Sequence, residues 1–406
     1  MVFKVALVCL FVVVSTTYGA LVDVKESDTI QRAINRANNG DTVVIHGGTY
    51  SEDIEINKSI YLLAINNSVI CPVYNGLVIS ADKVVLDGLT ISNSRGYGVV
   101  VNGNNSILKN NIINDNENGL VIYNSNGNRI INNTIRDNGD IKKSTLGSGY
   151  TITYGILLRN SYNITIDGNR LLNNLNGISI NPSSLEDISK YNKIINNIII
   201  DNSNGIDLNV CSYNIISNNK IKNNEGGISI FASNDNFIGF NEIMQNGASI
   251  TFAHHSNNPS RSRNNSLESN IIENNERGIK LYGCDNSKIK NNTINRNVQV
   301  GIELIDSSFN SIEDNRIYDN LEFGIEIHSY SKGNVLNNNY LKNNGLSFGP
   351  PSDPSGFGDA CDVTRSNWWD GSIRPMCTWT CGYPGDPPCD WDNIFSNINQ
   401  EGLIET

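Results

Sequence analysis

The chain has 406 residues, a formal net charge of −11 and only 17% charged residues. Basic clusters are missing, which excludes the electrostatic footprint of a nucleic-acid or anionic-membrane binder. An acidic surface also disfavours a strongly anionic polymer unless calcium or local Lys and Arg intervene.

Residues 1–20 hold one charge, Lys4, then an apolar run from Val5 to Val14 and small polar residues. That run is too short to span a bilayer and reads as a secretory signal cut near Gly19 or Ala20, with no second apolar segment long enough to anchor the chain. Secretion or residence at the cell surface is therefore expected. Over 28–40, the residues Ile30, Ala33, Ile34 and Ala37 share one helical face, with Asp28 as the N-cap and Gly40 as the stop. This amphipathic helix, within a region 21–66, is expected to cap the first coil of a repetitive β-structure. Asp41–Ile45, Ile54–Ile56 and Ile60–Ile65 alternate as strands.

From about Gly98 to Asn344 the chain repeats a frame: an apolar residue, two residues, Asn, one residue, an apolar residue, two residues, Asn. Ten copies fit. The first Asn column runs Asn111, Asn133, Asn169, Asn197, Asn219, Asn241, Asn270, Asn292, Asn315, Asn339. The second runs Asn116, Asn138, Asn174, Asn202, Asn224, Asn246, Asn275, Asn297, Asn320, Asn344. Segments such as Gly205-Ile206-Asp207-Leu208 alternate with the period of a half-buried strand, and frequent Asn and Gly exclude a helix. Self-similar coils stack at roughly 4.8 Å, burying alternate Ile side chains in a continuous column. Asn suits the corners because it tolerates left-handed backbone and ladders with itself one coil away. The fold class is all-β: a right-handed parallel β-helix over 67–345, with an N-terminal helical cap and a C-terminal cap over 346–406.

Three insertions interrupt the coils, at 139–153, 181–191 and 254–264. The second and third share a position in the frame and are expected to wall a groove over the coils of Gly205 and Gly227. Cys211 and Cys284 occupy one column three coils apart, on the order of 14 Å, too far for a disulfide, and read as small buried fillers. Cys361, Cys377, Cys381 and Cys389 crowd one Trp-rich segment and read as disulfide candidates in an exported chain, with a four-cysteine zinc site as the rival. Asp353–Asp362 faintly resembles a thrombospondin type 3 calcium repeat with an incomplete Asp ladder; otherwise no cofactor is expected.

The Asn-Gly-Ile…Asn-x-Ile-x-x-Asn copies resemble the right-handed β-helix repeats of the pectate-lyase superfamily, within it the NosD-like branch. The resemblance covers roughly residues 24–345. It implies a fold that hosts lyases, hydrolases, epimerases, sugar binders and inert scaffolds. The combined signature sets of polygalacturonases, pectate lyases and mannuronan epimerases are absent, and no copper ligand set is visible.

In the frame Gly-Ile-x-Ile-z, alternation turns x outward in one ladder: Ser179, Asp207, Ser229, Thr251, Lys280, Glu303 and Glu326. The z positions include Arg159, Asn181, Asn209, Phe231, Tyr282 and His328. Relatives in that superfamily carry catalytic groups on such a face. Glu303 and Glu326, with Asp306 and Lys280 beside them, are the catalytic candidates, because two carboxylates about 5 Å apart can share a proton and raise one pKa. A solvated charged face is the plainer alternative. For ligand binding the candidates are Asp207, Phe231, His254, Arg261, Tyr282 and His328, with a polar loop as the alternative for His254 and Arg261. The leading functional expectation is recognition of an extracellular polysaccharide or glycan on this face. A divergent carbohydrate-active enzyme and a structural envelope protein are the rivals.

Overall fold

A computed structural model describes residues 19–25, 28–74, 76–139, 152–182, 189–254, 261–328, 330–344, 346–348 and 360–361. Residues 1–18 of the signal segment, the calcium-like stretch from 353 to 359 and Cys377, Cys381 and Cys389 lie outside these residues. The backbone of Cys361 alone is described, in the short strand Ala360–Cys361.

The chain winds into a right-handed parallel β-helix with three long sheets. One coil shows the unit. Asn204–Asn209 lies in a 13-stranded sheet, here the first; Ile215–Ser217 lies in a 15-stranded second sheet; Lys220–Lys222 lies in a 13-stranded third. Register passes without slip from coil to coil, so Ile178, Ile206, Ile228, Ile250, Ile279, Ile302 and Ile325 stack in one line. All seven are at most 1% exposed and belong to one continuous core. A solenoid of this kind gains its stability between neighbours, because no single coil can bury its own Ile residues. Gly205, second in its strand, is required for a steric reason: a Cβ there would sit 2.6 Å from the carbonyl oxygen of Gly227 in the next coil.

Both expected Asn columns are internal hydrogen-bond ladders. Asn219 Oδ1 accepts from Asn197 N at 2.9 Å and from Asn197 Nδ2 at 3.0 Å. Its own Nδ2 donates to Ile194 O at 2.9 Å and to Asn241 Oδ1 at 3.0 Å. One expectation needs correction. Ladder residues do not adopt the left-handed backbone; the residue before each of them does, as at Asn218 (φ 56) and Asn223 (φ 56). The inward residue supplies the hydrogen bonds and its exposed neighbour supplies the bend.

Two further ladders line the corner between the first and second sheets. One is mostly Asn, running through Asn192, Asn214, Asn236, Asn265, Ser287, Asn310 and Asn334. The other is mostly Ser, with Cys211 and Cys284 as members whose amides donate hydrogen bonds to the Ser233 and Ser307 hydroxyls. Both thiols are free and buried, as expected of fillers.

The helix is shorter than expected, Ile30–Arg36, and Asp28 does not cap it. The N-cap residue is Thr29, which makes no side-chain bond. Glu52, from the first coil, accepts instead from Ile30 N at 2.7 Å and Gln31 N at 3.1 Å. At the other end Lys58 Nζ donates to the carbonyls of Ile34, Asn35 and Ala37. Opposite charges thus meet the two ends of the helix dipole and satisfy its orphan groups. Glu52→Ala should lower stability by about 1 kcal/mol in a urea titration, since it removes both bonds and the favourable charge.

Candidate functional site

The expected x ladder does lie on the outer face of the first sheet, in unbroken register from Ser179 to Glu326. Its chemistry changes along the face.

At the C-terminal end, Glu303 and Glu326 are register partners on adjacent coils. His328 Nε2 stands between them, 3.2 Å from Glu303 Oε1 and 3.4 Å from Glu326 Oε2. Lys280 Nζ lies 3.3 Å from the other oxygen of Glu303. Burial by itself would raise the Glu303 pKa, but the His328 hydrogen bond and the Lys280 charge outweigh it and hold the carboxyl below its usual value. Hydrogen bonds to Glu303 and then Glu326 lift His328 to about 9. The two carboxylates expected to share a proton directly instead flank an imidazole, because a z side chain reaches back to the x position one coil earlier.

Asp306 and Arg261 are brought together, away from that cluster. The Arg261 guanidinium spans two coils, with Nε 2.5 Å and Nη2 2.8 Å from the Asp285 carboxylate and Nη1 2.8 Å from Asp306 Oδ2. It fastens the returning end of the third insertion, where Ser262–Arg263 pairs with Cys284–Asp285. His254 packs its ring on Tyr282, centroids 4.5 Å apart. Phe231 is half-buried on the outer face, between Asn209 and Ala253 in register. The groove expected over Gly205 and Gly227 would be walled by the insertions 181–191 and 254–264, of which 183–188 and 255–260 lie outside the described residues.

Asp207 is half-buried on this face. Burial pushes it up to about 6, with the Ser179 hydroxyl, 3.3 Å away, opposing the shift. Its charge also disfavours ionisation of Tyr154.

At the N-terminal end lies a feature beyond the expected ladder residues. A cleft of about 570 Å³ opens on the first sheet, floored by Leu157 and walled by Tyr74, Tyr97, Tyr123, Tyr154 and Arg159. Leu157 is 2% exposed and Tyr154 7%, and with Val121 they form a small apolar cluster outside the main core. Tyr123 Oη lies 3.5 Å from Tyr97 Oη. Burial, then that contact, raise Tyr123 to about 12, so its phenol stays neutral. The Arg159 guanidinium lies over the Tyr123 ring, 6.0 Å from its centroid, and its Nε is buried with no hydrogen-bond partner among the described residues. Arg95 and Glu117 reach the rim. The sequence does carry a signal for this cleft. Leu120-Val121-Ile122 and Ile156-Leu157-Leu158 are continuous apolar runs where the later coils alternate, so both faces of those strands must be covered.

The family model of the right handed beta helix region matches residues 52–189 and 258–367, more than half of the chain. The family model of the periplasmic copper-binding protein (NosD) matches residues 138–260. No curated protein matches. Among solved structures, the Dettilon tailspike protein is 17% identical with a TM-score of 0.58, covering 85% of this chain and 70% of its own. The catalytic domain of an α-1,3-glucanase in complex with tetrasaccharides is 15% identical with a TM-score of 0.57, covering 86% and 69%. The periplasmic alginate epimerase AlgG is 15% identical at a TM-score of 0.40, covering 77% and 74%. The tailspike and glucanase likenesses show the fold.

Copper finds no ligand set in the NosD-matched segment among the described residues. Cys211 is buried beside Ser233, its thiol pushed up to about 12 by burial. Met244 lies on the third sheet and His254 at the exit of the first, so these soft donors do not converge. Also among the described residues, no helix is long and apolar enough to cross a membrane. The repeat frame, the three-sheet coil and the family match agree: this chain belongs to the right-handed β-helix family, and its central residues 138–260 resemble NosD.

Proposed function

We propose that the protein binds an extracellular carbohydrate along the outer face of its first sheet, anchored in the tyrosine-lined cleft. One observation carries this: tyrosine rings and the Arg159 guanidinium, whose Nε–H has no hydrogen-bond partner among the described residues, surround an apolar floor. Tyrosine rings present flat faces to the C–H side of a sugar, while their hydroxyls and the guanidinium meet its oxygens. A ligand oxygen on Arg159 would also satisfy a buried donor that otherwise carries a desolvation penalty. A long parallel sheet suits a polymer, and the α-1,3-glucanase of the same fold holds tetrasaccharides. Export, expected from residues 1–20, would place the face among such polymers.

A second reading, a divergent carbohydrate-active enzyme, draws on Asp207, whose pKa of about 6 suits a general acid near neutral pH. The same experiment separates the two. Affinity electrophoresis through gels of neutral and acidic polysaccharides should show retardation by at least one polymer, and assay of that polymer afterwards reports any cleavage or unsaturation. Tyr154→Ala and Arg159→Gln should each weaken binding at least tenfold, in line with the loss of one stacking or charge-assisted contact. Lys220→Ala, on the third sheet, should leave retardation unchanged. Absence of retardation by every polymer would overturn the reading and favour a structural envelope role.

A further inference from the structure

The charged cluster six strands beyond the cleft has a geometry of its own. We infer that Glu303, Glu326 and His328 form a site for one divalent transition-metal ion of zinc type. Among the described residues these are the only three His, Cys, Asp or Glu side chains whose ligand atoms all lie within 4.8 Å of one another. Two of the three donor spacings match a shared ion, and all three donors lie within 4.8 Å of one another. Two ligands bonded at 2.0–2.1 Å to a tetrahedral ion stand about 3.3 Å apart, and His328 Nε2 lies 3.2 Å from Glu303 Oε1 and 3.4 Å from Glu326 Oε2.

Three further features fit. All three side chains are 12–16% exposed, so the donors are largely desolvated and held on strands in fixed register. Lys280 engages the second oxygen of Glu303 and leaves the first turned toward the imidazole. A neutral imidazole and two carboxylates supply one nitrogen and two oxygens with a total charge that offsets a divalent ion, a donor set at home with zinc. The fourth position would fall to water or to a ligand oxygen on the sheet face. The rival explanation is an ion pair in which a protonated His328 bridges the carboxylates with no metal.

The test uses the full chain, stripped with chelator and dialysed against Zn²⁺. One zinc per chain should be retained, and its X-ray absorption should show nitrogen and oxygen neighbours alone. His328→Gln and Glu326→Gln should each weaken retention at least tenfold. No retained zinc, or equal retention by His328→Gln, would reduce the cluster to an ion pair. A sulfur-containing shell would move the metal to the cysteines of the C-terminal segment and overturn the assignment. The wild-type spectrum keeps the test decisive even where a variant folds poorly.

Discussion

Asn219→Ala should destabilise the protein by about 4 kcal/mol, as a shift in the urea midpoint or as earlier hydrogen exchange in the coils of Gly177, Gly205 and Gly227. The side chain is 1% exposed and makes four hydrogen bonds, to Asn197 N, Asn197 Nδ2, Ile194 O and Asn241 Oδ1. Alanine removes all four bonds in a corner that water does not reach; Asn241 Oδ1 keeps the residue-219 amide and Asn197 Nδ2 keeps Ile166 O, so the loss falls mainly on Asn197 N–H and Ile194 O, at roughly 1–3 kcal/mol for each orphaned group. Asn219→Asp should be at least as harmful. It keeps the two accepting interactions but turns both donations into repulsion and buries a charge. The neighbouring residue gives the control. Asn218 is exposed at φ 56, so Asn218→Gly should be nearly neutral and Asn218→Ala should cost only about 1 kcal/mol. Equal effects at 218 and 219 would contradict the division of labour between ladder and bend.

That division shows how much of the molecule its sequence announces. Period, alternation and the two unbroken Asn columns are legible because every coil repeats the same physical demand: an inward Ile, an inward amide, a bend. The corner between the first and second sheets meets the same demand with mixed residues. Asn, Ser and, at 164, Ile share one ladder, while Ser and Cys share the other, so no single letter marks either column. The helix cap is hidden for a related reason. Glu52 reaches Ile30 from another element, and local rules favour the nearer Asp28.

On the outer face, the ladder order is legible and the partnerships are not. His328 looks isolated in sequence, yet coil stacking sets it against Glu303, 25 positions earlier. Arg261, expected as a ligand clamp, is consumed by Asp285 and Asp306, because a guanidinium at the end of an insertion finds carboxylates on the next two corners. The cleft is masked by the charged x positions that dominate the pattern, since Leu157 and Val121 mark it only by being apolar where the pattern calls for polar residues.

Asp207 gives the clearest pH prediction on this face. Its folded-state pKa is about 6, against about 3.9 for an unfolded aspartate, so the folded chain holds this proton more tightly. The sign comes from linkage: the stability associated with the neutral carboxyl is fully present below pH 4, falls as pH rises toward 6, and stays lost above it. Two pH units correspond to roughly 3 kcal/mol. Asp207→Asn keeps the shape and the contact with Ser179 without a charge to desolvate. The variant should therefore be more stable than the wild type by up to about 3 kcal/mol at pH 7, with the difference shrinking to near zero at pH 4. Comparing the two chains removes the contributions of Glu303 and His328, which titrate in both. Parallel stability curves across pH 4–7 would show that Asp207 is solvated and would remove its claim to acid chemistry. Converging curves, together with glycan binding that changes between pH 5 and 7 in the wild type alone, would tie this carboxyl to the ligand that the neighbouring tyrosines are proposed to hold.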